Sequence, residues 1–358
     1  MQDHLVHLGW NDRIAAAFQP YAGHGYEPGR VSIVHQHLCR VLTATGDTLA
    51  QVTGRFQFEA AGPQDYPAVG DWVVLQTQPD GRGLIHAVLP RGSKFSRKAA
   101  GSPATEQVVA TNVTTLFLVN ALNHDFNLRR LERYLTLAWE SGANPVVVLN
   151  KADLCAELPE RIAACEAIAL GAPVHAVSAA TGEGLEVLAS YLGTGETVAL
   201  LGSSGAGKST LLNRLCGGDR QRTQAVRDGD DRGRHTTTHR ELVPLPSGGL
   251  LIDTPGMREL AMWGGADGFE ETFEDVSRLA ADCRFRDCRH AHEPGCAVRA
   301  AIETGELDEG RLRSFTKLQR EVAYQARKSD RPASLAEKAR WKQIHKAAKQ
   351  HDKRGQPL

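Results

Sequence analysis

Residues 202–209 read GSSGAGKS and match the phosphate-binding pattern G-x-x-x-x-G-K-[ST] in full. Such a loop follows a buried strand and opens a helix, because its glycines let backbone N–H groups turn towards phosphate oxygens. The tetrad Asn150–Lys151–Ala152–Asp153, which has the N-K-x-D form of a guanine reader, stands ahead of this loop. In an ordinary GTPase the tetrad comes behind the loop. Along this chain the base reader therefore comes first, the phosphate loop second and the switch segments last.

The pattern around these motifs predicts a layered α/β domain. Apolar strands alternate with helices from Thr114 to Leu215, which indicates a parallel sheet covered on both faces. Ligands bind at the carboxyl ends of the strands in such a sheet, and each motif directly follows a strand. A Gly-rich turn before a helix is the alternative interpretation of the loop, but strand, loop and helix stand in the order that phosphate binding requires.

The flanking regions have a different texture. Five short β-branched runs between Val31 and Leu89 predict a small barrel, of which the oligonucleotide-binding (OB) type is the commonest. A short helix is expected near Asp12–Phe18, and Arg91–Gln107 is expected to be a basic linker. The predicted fold is multidomain, with an extension at 1–30, an OB-type β-barrel at 31–95, a circularly permuted α/β P-loop GTPase domain at 105–262, and a mostly helical domain with a basic tail at 263–358.

Charge is distributed unevenly. The chain has 42 basic and 42 acidic side chains, but residues 311–354 hold 14 Lys or Arg against four acids. We expect this tail to contact a polyanion such as RNA, the alternative being a solvated helix face. No apolar run reaches the roughly 20 residues that cross a bilayer, and the amino terminus lacks a signal-peptide pattern, so we expect a cytoplasmic protein without a membrane partner.

The phosphate loop supplies the nucleotide contacts. Lys208 would reach the β and γ phosphates, and the Ser209 hydroxyl would bind Mg²⁺. We expect contacts from the whole loop, namely Gly202, Ser203, Ser204, Gly205, Ala206, Gly207, Lys208, Ser209 and Thr210.

The base reader distinguishes a GTPase from an ATP-driven enzyme, which is one competing interpretation of the loop. The Asp153 carboxylate would accept from N1–H and N2–H₂ of guanine. Adenine offers no such pair of adjacent donors. Asn150 would fix the loop, and the Lys151 stem would lie on the ring. Ser178–Ala179 ends the next strand, and a backbone N–H near Ala179 would donate to guanine O6.

The switch residues follow the loop. Asp253 would stand in the second shell of Mg²⁺, and the Gly256 N–H would contact the γ-phosphate. Thr237 is expected to bind Mg²⁺, with Thr236 and Thr238 as alternatives. Met257 occupies the place of the water-orienting glutamine, so His235 is our candidate for that task. A surface histidine is the alternative. We assign catalysis to three residues: His235, Lys208 and Thr237.

A cysteine and histidine cluster lies in the helical region. Cys283-x4-Cys288-x-His290-x5-Cys296 offers three thiolates and one imidazole, a set suited to one structural Zn²⁺. A disulfide is the alternative, and His292 is a possible decoy ligand.

The motif order, with a barrel in front and the cluster behind, resembles that of RsgA, the circularly permuted GTPase family that depends on the small ribosomal subunit. The resemblance covers about Val31 to Tyr324, and Thr111–Asn112–Val113–Thr114 departs from it where family members often have an aspartate. It implies a GTPase that is stimulated by the small subunit, acts late in its assembly and helps to release an assembly factor. We expect a monomer that contacts rRNA through its barrel and its tail. The competing hypothesis is an RNA-binding scaffold with a nearly inactive G domain.

Overall fold

The computed structural model describes residues 2–35, 38–99, 102–218, 240–253 and 267–324. The strands of this part of the chain are β1 (Glu27–Val34), β2 (Cys39–Thr43), β3 (Gly46–Val52), β4 (Trp72–Thr77), β5 (Gly83–Val88), β6 (Lys94–Ala99), β7 (Ser102–Thr111), β8 (Thr115–Ala121), β9 (Asn144–Asn150), β10 (Val174–Val177), β11 (Thr197–Gly202), β12 (Glu241–Pro244) and β13 (Leu250–Asp253). Its helices are α1 (Gln2–His7), α2 (Asp12–Phe18), α3 (Gly54–Glu59), α4 (Leu128–Ser141), α5 (Leu158–Glu166), α6 (Leu185–Ala189), α7 (Lys208–Leu215), α8 (Asp267–Thr272), α9 (Glu274–Ala281), α10 (Ala297–Glu303) and α11 (309–324).

The first five strands close into a barrel. Strand β1 pairs with β2 and β4, β2 with β3, β3 with β5, and β5 with β4. Valines and isoleucines on the inner face, including Val31, Val41 and Ile85, are fully buried. This closed order confirms the predicted OB-type barrel, because it leaves none of the five strands with an unpaired edge.

Residues 94–99 and 102–111 form two paired strands, so the prediction of a linker over Arg91–Gln107 was wrong. Strand β6 pairs antiparallel with β7, and Phe95 and Val109 enter the core. Two of the basic residues in this stretch, Lys94 and Arg97, have partners on the opposite strand. Lys94 lies 2.8 Å from Glu106, and Arg97 Nε donates to Gln107 Oε1 at 3.0 Å. Such pairing is not visible in the local sequence, because each partner lies at least ten residues further along the chain.

The central domain is a parallel sheet with the order β10-β9-β8-β11-β13, to which β12 adds an antiparallel edge. All seven residues of β8 are buried, as expected of a strand covered on both faces. The order places the strand before the phosphate loop, β11, next to β8 in the middle. Ile33 of β1 pairs with Glu241 of β12, which joins the barrel to this sheet.

Helix α4 links the sheet to the carboxyl-terminal helices. It begins where the Asn127 side chain accepts from the Arg130 N–H at 3.0 Å, and it ends at Gly142, whose φ is 81°. Its buried side includes Leu131 and Leu135, which lie over the sheet. Among the described helices, none is long and apolar enough to cross a membrane.

Candidate functional site

The phosphate loop connects β11 to α7 and is shaped by glycines. Gly205 and Gly207 have φ values of 73° and 91°, in the left-handed region that side chains rarely adopt. A Cβ on Gly207 would also lie 2.2 Å from Asn150 Nδ2. The loop therefore needs glycine at 207 both for its backbone conformation and for the close approach of a neighbouring side chain.

Lys208 folds back across this loop. Its Nζ donates to the Gly202 carbonyl at 2.9 Å and to the Ser203 carbonyl at 2.6 Å. The ammonium charge is thus held at the start of the loop, on the phosphate-binding side of the helix terminus. Ser209, in the first turn of α7, is exposed.

Asn150 ties the base reader to the phosphate loop. It is the last residue of β9 and is 2% exposed. Its Nδ2 donates to the Ala206 carbonyl at 2.8 Å, and its Oδ1 accepts from the Ala179 N–H at 2.9 Å. The three motifs that are distant in sequence meet on this one amide.

The remaining base-reading residues surround Asn150. Lys151 has a φ of 68°, which turns the chain so that the exposed Asp153 lies in the helical turn Ala152–Leu154. The Ala179 N–H, which we expected near a guanine oxygen, is already engaged by Asn150. Ser178 is fully buried, and its Oγ accepts from the Thr181 N–H at 3.2 Å.

One basic and one acidic residue at this site, Arg214 and Asp125, belong to none of the sequence motifs. Arg214 of α7 donates to the carbonyls of Ala179 and Ala180 at 3.1 and 2.7 Å, which joins the phosphate-loop helix to the base-reading turn. Asp125, in the loop after β8, accepts from Ser203 Oγ. The rule that ligand-site residues follow parallel strands could have singled out Asp125.

The switch residues are described in part. Strand β13 runs parallel to β11, with Ile252 opposite Ala199, so Asp253 ends at the same edge of the sheet as the phosphate loop. His235, Thr237 and Gly256 lie outside the described residues.

The cysteine and histidine cluster forms a compact donor set. The ligand atoms of four residues lie within 4.8 Å of one another: Cys283, Cys288, His290 and Cys296. Cys283 Sγ is 3.9 Å from Cys296 Sγ, and His290 Nδ1 is 3.6 and 3.5 Å from these two sulfurs. A tetrahedral zinc ion with ordinary bond lengths would give separations of about 3.8 Å and about 3.6 Å. The donor set therefore fits such an ion, whereas a disulfide would need about 2 Å between sulfurs.

The turn that carries His290 is held by a carboxylate. His290 has a φ of 58°, and Glu293 accepts from the N–H groups of Arg289, Ala291 and His292. Hydrogen bonds from backbone N–H groups, those of Glu293 itself and Ala291 first, lower the pKa of this carboxyl to about 2. Burial lowers the pKa of His290, which favours the neutral imidazole that a metal ion binds. The exposed His292 lies outside the ligand set.

Comparisons with known proteins match nearly the whole chain. Residues 88–263 match the family described as RsgA GTPase. The small ribosomal subunit biogenesis GTPase RsgA of Opitutus terrae is 51% identical over 359 residues, covering 98% of each chain. The protein of the same name from Syntrophotalea carbinolica is 45% identical and covers 96% of this chain and 97% of its own.

Two solved structures share the architecture. YjeQ from Thermotoga maritima has a TM-score of 0.63 and 28% identity, covering 83% of this chain and 99% of its own. YloQ, described as a circularly permuted GTPase, has a TM-score of 0.61 and 26% identity, covering 85% of this chain and 97% of its own.

Proposed function

This chain belongs to the RsgA GTPase family, and we propose that it hydrolyses GTP during the biogenesis of the small ribosomal subunit. The observation that carries this proposal is the position of Asn150, whose amide joins the phosphate loop at Ala206 to the base-reading turn at Ala179. A nucleotide bound along the loop would then have its base at Asp153. The curated relatives bear the name of small ribosomal subunit biogenesis GTPase.

Each site residue has a task in this reaction. Asp153 accepts from guanine, while Lys208 and the loop N–H groups bind the phosphates. Ser209 and Thr237 would hold Mg²⁺, with Asp253 in its second shell, and the ion would offset the charge of the phosphates. His235 orients the attacking water from the segment between the phosphate loop and β12, since Met257 offers no hydrogen bond strong enough to do so.

The cysteine and histidine cluster would hold one zinc ion in a structural role. All four positions are taken by protein donors, so the ion would have no open site for water and no direct part in hydrolysis. Its contribution would be to fix the region between α9 and α10, which is otherwise a loop without regular structure. The extension, barrel, permuted G domain and zinc-binding domain keep the boundaries 1–30, 31–95, 105–262 and 263–358 in this proposal.

The partners follow from charge and family. We expect the barrel and the basic tail to contact rRNA of the small subunit. The subunit would stimulate hydrolysis, and the protein would help to release an assembly factor from it late in maturation. The protein would act as a cytoplasmic monomer.

The decisive experiment measures GTP hydrolysis with and without purified small subunits. We expect the subunits to accelerate the reaction. The Lys208→Ala variant should lose this acceleration, because it lacks the ammonium group that would bind the phosphates. Glu186→Gln, at an exposed position of α6 outside the barrel and the tail, serves as the control and should behave as the parent. If the parent chain binds subunits yet turns over no faster than Lys208→Ala, the scaffold hypothesis replaces this proposal.

A further inference from the structure

A carboxylate in the loop after a neighbouring strand forms a hydrogen bond with the start of the phosphate loop. Strands β8 and β11 run side by side, with Val119 opposite Gly202, so the loops that follow them are adjacent. Asp125 lies in the loop after β8, and its Oδ2 accepts from Ser203 Oγ. Ser203 is the first residue after β11, where the chain begins to curl.

Asp125 is itself held rigidly. Arg130 in the first turn of α4 donates to Asp125 Oδ1 at 3.0 Å and to Oδ2 at 2.9 Å. The Asp125 N–H donates to Asn123 Oδ1 at 3.0 Å. Because α4 is anchored on the sheet by its buried side, the carboxylate is fixed to the domain core rather than to a mobile loop.

The phosphate loop is therefore fastened by side chains at two places. Asn150 holds it near its end, at the Ala206 carbonyl, and Asp125 holds it at its beginning, at Ser203. The Ser203 carbonyl also accepts from Lys208 Nζ, so the position of Ser203 affects that of the ammonium group. Phosphate binding depends on the curvature between these two anchors, because the curvature aims the N–H groups.

The pairing with Arg130 resolves an electrostatic conflict. A lone carboxylate next to a phosphate site would repel the ligand, at a cost that rises as water is excluded. Two hydrogen bonds from one guanidinium offset the carboxylate charge and leave Oδ2 able to accept from Ser203.

We propose that Asp125 is a positioning residue of the nucleotide site, which acts through Ser203 to keep the phosphate loop in its phosphate-binding curvature. The proposal rests on the proposed function, since it assumes that the loop binds guanine nucleotide. It assigns to Asp125 and Arg130 a part in retaining the phosphates and none in choosing the base.

The test is a double-mutant cycle on nucleotide release from the full chain. The dissociation rate of a fluorescent GDP is measured with Mg²⁺ for the parent, Asp125→Ala, Ser203→Ala and the double variant. Each single variant should release GDP about tenfold faster, as expected when a hydrogen bond to a charged group is lost. The double variant should be no faster than the singles, because both remove the same interaction. Ser203→Thr keeps the hydroxyl and should restore the parent rate.

Further measurements separate the outcomes. The preference for GDP over ADP should not change in any variant, whereas a general loosening of the site would reduce it. Asp125→Ala leaves Arg130 without its carboxylate and could unfold for that reason. Ser203→Ala removes only one hydroxyl and keeps this ion pair, so it tests the proposal even in that case. Additive effects, or release within twofold of the parent rate in Ser203→Ala, would overturn the proposal. A parent chain that binds no GDP would instead refute the proposed function.

Discussion

At the scale of single residues, a few polar side chains determine how the motifs meet. Asn150 is 2% exposed and uses both ends of its amide, so neither end is left without a partner in the core. Arg30 is 1% exposed and donates to the carbonyls of Gly70 and Asn112 at 3.3 and 3.0 Å and to that of Leu8. Each of these residues joins segments that are distant in the chain.

Asp153→Asn should weaken guanine nucleotide binding by about 10- to 100-fold, because the amide cannot accept both guanine donors with the assistance of charge. Xanthine nucleotide should bind better than before, since its base presents an acceptor in place of one donor. Calorimetric titration with GDP, XDP and ADP checks both effects. Glu157→Gln changes an exposed carboxylate nearby and is the matched control. An unchanged preference for GDP over ADP in Asp153→Asn would show that the base reader lies elsewhere.

His235→Ala should lower subunit-stimulated hydrolysis by about 10²- to 10⁴-fold while leaving GTP affinity nearly unchanged, because a residue that acts on the attacking water contributes mainly in the transition state. Single-turnover hydrolysis and binding of a non-hydrolysable analogue separate the two effects. His239→Ala, in the same segment, is the control. Turnover at the parent rate in His235→Ala would make His235 a bystander.

At the scale of elements, the turn that carries His290 is supported by hydrogen bonds from its own backbone to Glu293. Glu293 accepts three backbone N–H groups around His290, whose φ of 58° lies in a region that few side chains adopt. The carboxylate thus supports a conformation that directs Nδ1 towards the sulfurs of Cys283 and Cys296.

Cys283→Ser and His290→Ala should each lower zinc content and loosen the region between α9 and α10, because a structural site contributes folding free energy directly. Nucleotide binding should persist, since the ligands lie beyond residues 88–263, which match the RsgA GTPase family. Metal analysis by mass spectrometry and limited proteolysis measure the two effects. His292→Ala should retain the metal. Full occupancy in both ligand variants would mean that the ion is held by other residues.

Local patterns predicted most elements but not their long-range partners. The limits of α2 agree with the predicted helix at Asp12–Phe18, and strands alternate with helices between Thr114 and Leu215 as expected, because apolar periodicity is a local signal. The hairpin of β6 and β7 and the helix α1 were not predicted. Similarly, the motif residues Asn150 and Lys208 were found by spacing, whereas Asp125 and Arg214 act through partners that are distant in sequence.

At the scale of the whole molecule, the carboxyl-terminal helices pack against α4 and form ion pairs with it. Glu132 on α4 is fully buried, and its Oε1 accepts from Arg311 of α11 at 3.0 Å. Arg311 is 2% exposed and also makes two bonds of 2.9 Å to Asp275 of α9. Arg133 pairs with Glu321 further along the same helices. The described contacts thus fix α9 and α11 to α4, the helix that carries Arg130.

Arg311→Ala should lower the free energy of unfolding by about 3–5 kcal/mol, because it removes the buried cation that Glu132 and Asp275 share and leaves Glu132 only the partly exposed Arg129. Urea denaturation followed by circular dichroism provides the measurement. Arg313→Ala breaks an exposed pair with Glu309 and should change the free energy by less than about 1 kcal/mol. Equal effects of the two substitutions would show that the buried pair contributes no more than a surface one.

The rotated order of the strands affects how the protein is made. Strands β8, β9 and β10 follow one another in the chain and are neighbours in the sheet, so they can assemble as soon as they leave the ribosome. The other side of β8 belongs to β11, which is synthesised only after β10. Because the chain is synthesised at about 5–20 residues per second, the apolar edge of β8 stays unpaired for several seconds before β11 emerges. The nascent chain thus passes through a stage with an open strand edge that could recruit another chain, and emergence of Gly202 both covers that edge and begins the phosphate loop.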